Sequence, residues 1–149
     1  MSNKHKLSLG LYYRNRGFFD AGSGEIRITE RFSYEQKHPR ILYSHKIRIE
    51  QRFLKTLTIF RQRYKFGVNF PLNGKNHDTG KSFLSGDLES LVSFSSALPP
   101  ITDLRTTAQF GWKATKNLVL KTGFEHRLEA FNLKGYNLFF LLTSANLRI

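Results

Sequence analysis

The stretch Leu42 to Gly67, LYSHKIRIEQRFLKTLTIFRQRYKFG, constrains the fold of the whole chain through its alternation. Counting by twos, Ile41, Tyr43, His45, Ile47, Ile49, Gln51 and Phe53 form a mostly apolar row, and Ser44, Lys46, Arg48, Glu50 and Arg52 form a charged one. After Leu54 to Thr56 the pattern resumes, with Thr58, Phe60, Gln62, Tyr64, Phe66 and Val68 set against Arg61, Arg63, Lys65 and Gly67. Successive side chains of a strand point to opposite faces, so a period of two sustained over this length reads as two long strands joined in a hairpin. Period two leaves open which face is inside. The charged row can meet water outside a soluble barrel or line the lumen of a membrane barrel.

The rest of the chain repeats the motif. Leu7, Leu9, Leu11 and Tyr13 alternate with Ser8, Gly10, Tyr12, Arg14 and Arg16, giving a first strand followed by a loop at Gly17 to Gly24. Ile26, Ile28, Phe32 and Tyr34 then alternate with Glu25, Arg27, Arg31, Glu35 and Lys37, with Glu30 alone on the apolar row. A turn follows at Lys37 to Arg40, where Pro39 has no N–H to give a ladder. The hairpin supplies strands three and four, ending at Pro71 to Gly74, and Gly74 to Lys81 reads as a polar loop. Strand five runs over about Ser82 to Ser96 and stops before Pro99-Pro100. Strand six carries Leu104, Ala108, Phe110, Trp112 and Ala114, and Thr115 to Asn117 turns the chain. Strand seven carries Leu118, Leu120, Phe124, Leu128 and Ala130. The last strand, Asn137 to Ile149, is apolar on both faces over Leu138 to Leu142, so Ser144, Asn146 and Arg148 must set its orientation. About eight antiparallel strands with short connections predict an all-β, up-and-down barrel in one domain, closed so that no long edge stays exposed.

Composition narrows the partners. Twenty-four Lys and Arg against eleven Asp and Glu give a formal charge of +13, which favours anionic partners such as lipid headgroups or nucleic acid. Nucleic acid is not expected, because the alternation puts cations and aromatics on opposite faces whereas single-strand binding needs both on one. No apolar run approaches the roughly 20 residues of a membrane-spanning helix. Met1 to Tyr13 does not read as a signal peptide, since Ser8 and Gly10 interrupt its apolar part. Cysteine is absent, which removes thiolate and disulfide chemistry.

Every Lys and Arg falls on a polar row or in a turn, loop or the amino terminus, and Glu25, Glu35, Glu50, Asp87, Glu89, Glu125 and Glu129 share the polar rows. A four-residue turn at Lys37 to Arg40 predicts Arg27 opposite Glu50 and Glu25 opposite Arg52, and a three-residue turn near Asn117 predicts Arg105 opposite Glu129. If the polar rows face inward, Arg27, Arg48, Glu50, Arg52, Arg61, Arg63, Arg105, Glu125, Arg127 and Glu129 form a lumen network with Glu50 as its hub. Glu50 is then expected to neutralise Arg27, Arg48 and Arg61. The surplus positive charge must reach water or bind anions at the barrel ends. Mid-strand Gly10, Gly67, Gly111 and Gly123 would give Arg side chains room, and Tyr13, Tyr34, Tyr43, Tyr64 and Trp112 suit membrane-interface girdles. The alternative is a soluble barrel that binds an apolar ligand in its interior.

Sites for catalysis are weak. The five histidines lack metal-ligand spacing, so no metal or cofactor is expected. His126 with Ser44 or Glu30 is a remote hydrolase arrangement, and Glu125 with Glu129 imitates a glycosidase pair but sits among arginines. Gly80-Lys81-Ser82 lacks the spacing of a phosphate loop. No residue is assigned a catalytic role.

The segments HKIRIEQRF (residues 45–53), RQRYKFGVNFPLNG (61–74), LRTTAQFGWKATKNLVLKTGFEHRLEAFNL (104–133) and LFFLLTSANLRI (138–149) resemble an uncharacterised family of Gram-negative outer-membrane β-barrels, domain of unknown function 2490. The resemblance runs from about Ile26 onward. It implies a transmembrane barrel in the outer membrane with lipid around it, and it brings no known catalytic residues. A structural or accessory role in the envelope, with other envelope proteins as potential partners, is the matching expectation.

Overall fold

The computed structural model describes residues 2–14, 24–72, 80–97 and 99–148. Its elements are eight strands: β1 (Ser2–Arg14), β2 (Glu25–Lys37), β3 (Leu42–Leu54), β4 (Thr58–Pro71), β5 (Ser82–Ser95), β6 (Ile101–Lys113), β7 (Leu118–Glu129) and β8 (Tyr136–Leu147). Each pairs antiparallel with the next, in the order β1 through β8. The alternation therefore identifies every strand, and the only strand proline, Pro71, closes β4 where a missing N–H costs least. β1 begins at Ser2, earlier than the apolar alternation shows, because Lys4 and Lys6 continue its polar row opposite Glu35 and Ser33. β6 likewise begins at Ile101, three residues before Leu104. The loops expected at Gly17 to Gly24 and Gly74 to Lys81 fall mostly outside the described residues.

Two expected registers are corrected, each by two residues. Arg27 faces Arg52, and Glu50 faces Thr29, because the first turn closes between Lys37 and Leu42, with His38 N donating to Ile41 O at 2.9 Å. Arg105 faces Arg127 rather than Glu129. There the turn is set by Thr115, whose Oγ1 accepts from the N–H groups of Asn117 (3.2 Å) and Leu118 (3.0 Å). This hydroxyl substitutes for backbone partners at the tip and fixes where the ladder restarts.

Closure is the third correction. The hydrogen-bonded order ends at β8, and no ladder joins it to β1 among the described residues, so β1 and β8 are edges of an open sheet. β8 lacks the polar inner row of its neighbours: Leu138 and Phe140 face Arg127 and Glu125 across the ladder, with Leu142 next to them in the same row. Over Leu138 to Leu142 this edge strand has no polar side to turn toward the concave face, and Ser144 and Asn146 restore the polar row toward its end.

The sheet curls around its polar rows. Glu25 and Glu50, each 3% exposed, and Thr29 and Thr107 are the buried polar residues, and all lie on those rows. One cavity is lined from β2, β3, β4, β5, β6 and β7 together, which requires those strands to arc around it. The apolar rows face out: Ile26, Phe53, Phe60, Leu88, Phe94 and Phe110 are all exposed, with Phe124 at 70%. Among the described residues only Phe83, 6% exposed, and Leu91, 2% exposed, form a buried apolar core, and both sit on the polar row of β5.

Candidate functional site

The concave face is the site, and its charges are neutralised mainly along strands. Residues two apart on a strand share a face about 7 Å apart, a span that Arg and Glu side chains bridge. Glu25 accepts from Arg27 at 2.6 and 3.0 Å, and Glu50 accepts from Arg48 at 3.2 Å and from Arg52 at 2.8 and 3.2 Å. Glu125 pairs with Arg127, which also lies 3.9 Å from Glu129. Arg52 reaches Glu25 at 3.9 Å and so links two of these units. Glu50 is thus the hub for Arg48 and Arg52. It does not take Arg27, which pairs with Glu25 two residues before it on the same strand. Arg61 lies directly opposite Glu50, but its Nε donates to Ser93 Oγ at 3.0 Å.

Across the ladders that flank β3, several directly facing charges are alike: Arg31 with Arg48, Arg48 with Arg63, and Lys46 with Lys65. Such pairs repel unless acids lie between them. Strand β5 supplies two of those acids. Glu89 lies 3.2 Å from Arg63 and 3.5 Å from Arg105, and Asp87 lies 3.2 Å from Lys65. Alternation places both on the polar row, but their share in the network depends on the β4–β5 register and hence on the length of an intervening loop. One carboxylate serving two guanidinium groups leaves Nε of Arg63 and of Arg105 buried without a partner. Tyr12 and Phe140 add ring faces, with Arg27 5.3 Å above the first and Arg127 4.5 Å above the second.

The glycines serve a different purpose from the one expected. A Cβ on Gly67 would lie 2.6 Å from both Asp87 Oδ1 and Ser44 Oγ, on Gly111 it would strike the Phe83 ring at 2.1 Å, and on Gly123 it would meet the Ala108 carbonyl at 2.1 Å. They admit an acid, an aromatic ring and the neighbouring backbone, not arginines. Gly10 has no atom nearer than 3.9 Å.

On the convex face, Tyr34, Tyr43 and Trp112 lie toward the strand ends that meet the turns 38–41 and 114–117, and Tyr13 lies at the opposite end. Tyr64 sits mid-strand, its hydroxyl 2.8 Å from His45 Nδ1. His5, Tyr34 and His45 stack in a row across β1, β2 and β3 with ring centroids 4.8 and 5.9 Å apart. His126 lies 2.9 Å from Asn137 Oδ1 and stacks on Phe139 at 4.7 Å, so it is brought to neither Ser44, which faces inward under Gly67, nor Glu30 on β2. Among the described residues no group of three or more His, Asp or Glu is gathered to hold a metal ion.

The fold and the site together define a class: an all-β, eight-stranded antiparallel meander with a charged concave face and an apolar convex one. The chain belongs to the family described as protein of unknown function (DUF2490), which matches residues 1–133. No curated protein and no solved structure matches it.

Proposed function

We propose that the chain is an outer-membrane β-barrel protein with a structural or accessory role in the bacterial envelope, its convex face in contact with membrane lipid and its concave face filled by the Arg/Glu network. One observation carries this reading: the large apolar side chains are turned outward on strand after strand, while the most buried carboxylates are turned in. Soluble proteins bury such rows, and contiguous apolar surface on this scale needs a cover. Small membrane barrels have this inside-out pattern, with apolar residues toward lipid and polar ones in the lumen. The reading assigns no catalytic residue.

In hydrocarbon every backbone N–H and C=O must be paired, so the proposal requires partners for the free edges of β1 and β8. They can pair with each other in lipid or with strands of an envelope protein. The soluble alternative, an apolar ligand held inside, draws no support from the concave cavity between β2 and β7, which is lined by Glu35, Lys46, Lys65, Asp87 and Lys121.

The test is partitioning between detergent and aqueous phases. The full chain should enter the detergent phase, show strand-type circular dichroism and migrate on gels in a heat-modifiable way. A monodisperse monomer in detergent-free buffer would overturn the proposal.

A further inference from the structure

The two free edges of the sheet differ in kind. β1 is apolar on one face only, and its other row carries exposed Lys4, Lys6 and Arg14, the charged guard that discourages an edge from pairing. β8, with the sequence YNLFFLLTSANL, has no charge, proline or glycine along its length. Its side chains are exposed from end to end except for half-buried Leu142, and Phe139 and Leu141 stand out from the convex face at 78% and 69% exposure. A long uncharged edge with apolar residues on both faces is a template for another strand.

The order of residues in β8 matches itself. In an antiparallel register centred on Phe140, Phe140 faces Phe140 of a second copy, Phe139 faces Leu141, Leu138 faces Leu142, Asn137 faces Thr143 and Tyr136 faces Ser144. Apolar meets apolar and polar meets polar at every step, and no charge meets a like charge. Directly opposite residues of an antiparallel pair share a face, so the concave row Leu138, Phe140, Leu142 of one copy continues into the same row of the other. The chain's own β1, with Lys4, Lys6 and Arg14 on the corresponding row, offers no such match. The seam is also held in place from β7. Arg127 lies 4.5 Å over the Phe140 ring, and His126 stacks on Phe139 and holds Asn137 Oδ1 at 2.9 Å, which leaves the Asn137 NH2 to donate to a facing Thr143 hydroxyl.

We infer that the β8 edge is an association surface for a second copy of this chain, the two β8 strands pairing antiparallel about Phe140. The contact is isologous, with a twofold axis perpendicular to the sheet, and it satisfies the backbone donors and acceptors that β8 leaves free. It depends on the edge and not on a lipid surround. If the chain proves soluble without detergent, the experiments below are run in plain buffer, so failure of the membrane proposal and failure of this one are distinguishable.

The test uses the absence of cysteine from the chain, which makes a single introduced thiol a clean reporter. Phe140→Cys, held in uncharged detergent micelles and oxidised with copper–phenanthroline, should give a disulfide-linked dimer, because directly opposite residues lie about 4.5 to 5.5 Å apart at Cα, within disulfide reach. A mixture of Tyr136→Cys and Ser144→Cys chains should cross-link to each other. Neither should cross-link to itself, since the two like thiols lie about 27 Å apart along the strands. Ser8→Cys, at the middle of β1, should stay uncross-linked. Light scattering should find the parent at twice 17.3 kDa after subtraction of detergent. Phe140→Lys sets two ammonium groups face to face and should weaken dimerisation on the order of tenfold or more. Its strand dichroism is first checked against the parent, and Thr143→Lys replaces it if it misfolds. A parent that is monomeric at every concentration, equal cross-linking of Phe140→Cys and Ser8→Cys, or undiminished dimerisation of a folded lysine variant overturns the proposal.

Discussion

Glu50→Gln is the most direct probe of the concave network. The carboxylate is 3% exposed and accepts three hydrogen bonds from two guanidinium groups, at 3.2 Å from Arg48 and at 2.8 and 3.2 Å from Arg52. Breaking a buried ion pair by removing one partner costs about 3 to 5 kcal/mol, chiefly because the other charge is stranded. Two features reduce that figure here. Arg48 is a third exposed and reaches water, and Arg52 keeps Glu25 at 3.9 Å. Glutamine also retains one acceptor oxygen. A loss of about 2 to 4 kcal/mol is expected, measured by equilibrium urea unfolding in micelles and followed through the fluorescence of Trp112. Arg52→Met supplies the other arm of a double-mutant cycle, and the double variant should cost less than the sum of the singles by about 1 kcal/mol or more. If Glu50→Gln shifts stability by less than about 0.5 kcal/mol, as an ordinary surface substitution does, Glu50 is solvated and the inward network is refuted.

Two further outcomes test the packing and the surround. Gly123→Ala should destabilise by about 1 to 3 kcal/mol, because its Cβ meets a backbone carbonyl that cannot move aside, whereas Gly10→Ala, whose Cβ would make only ordinary contact with Thr29 at 3.9 Å, should be neutral or slightly stabilising; equal urea midpoints would contradict the close approach. If lipid covers the convex face, Phe124→Arg at the middle of β7 should lower folding stability in phospholipid vesicles by about 2 to 4 kcal/mol, and Trp112→Arg near the end of β6 by about 0 to 1 kcal/mol. Equal costs at the two positions would place both at the same depth and contradict that arrangement.

Much of the fold was legible because the alternation is so regular. Ile41 to Phe53 and Thr58 to Val68 announce β3 and β4 with both faces assigned, and those assignments hold in the sheet. Register was not legible, since a shift of two leaves every face unchanged and only the turn chemistry distinguishes the candidates. In both misjudged turns the deciding contacts were local and small: His38 to Ile41 in one and the Thr115 hydroxyl in the other. The direction of curl was also beyond a period-two pattern, because it depends on how all strands pack together. Phe83 and Leu91 show a further limit. Their parity puts them among charges, where alternation alone gives no reason for an apolar residue, and the reason is a neighbour on another strand, such as Gly111 beneath Phe83. The site residues were read as members of one network, but their partners were sought across strands, where register decides, whereas Glu25 with Arg27 and Glu50 with Arg52 pair two residues apart on one strand.

The pairing of charges within strands has a consequence for how such a sheet can be assembled. Glu25 with Arg27, Arg48 and Arg52 around Glu50, and Glu125 with Arg127 each lie within a single strand. β2, β3 and β7 therefore carry counter-ions of their own before they meet a neighbour, whereas Arg63 and Lys65 of β4 wait for the acids of β5. A hairpin can enter a low-dielectric surround already partly neutralised, without waiting for the next strand to arrive. Turns can also gain or lose residues in twos over evolutionary time, sliding one strand past another, without breaking a single one of these pairs.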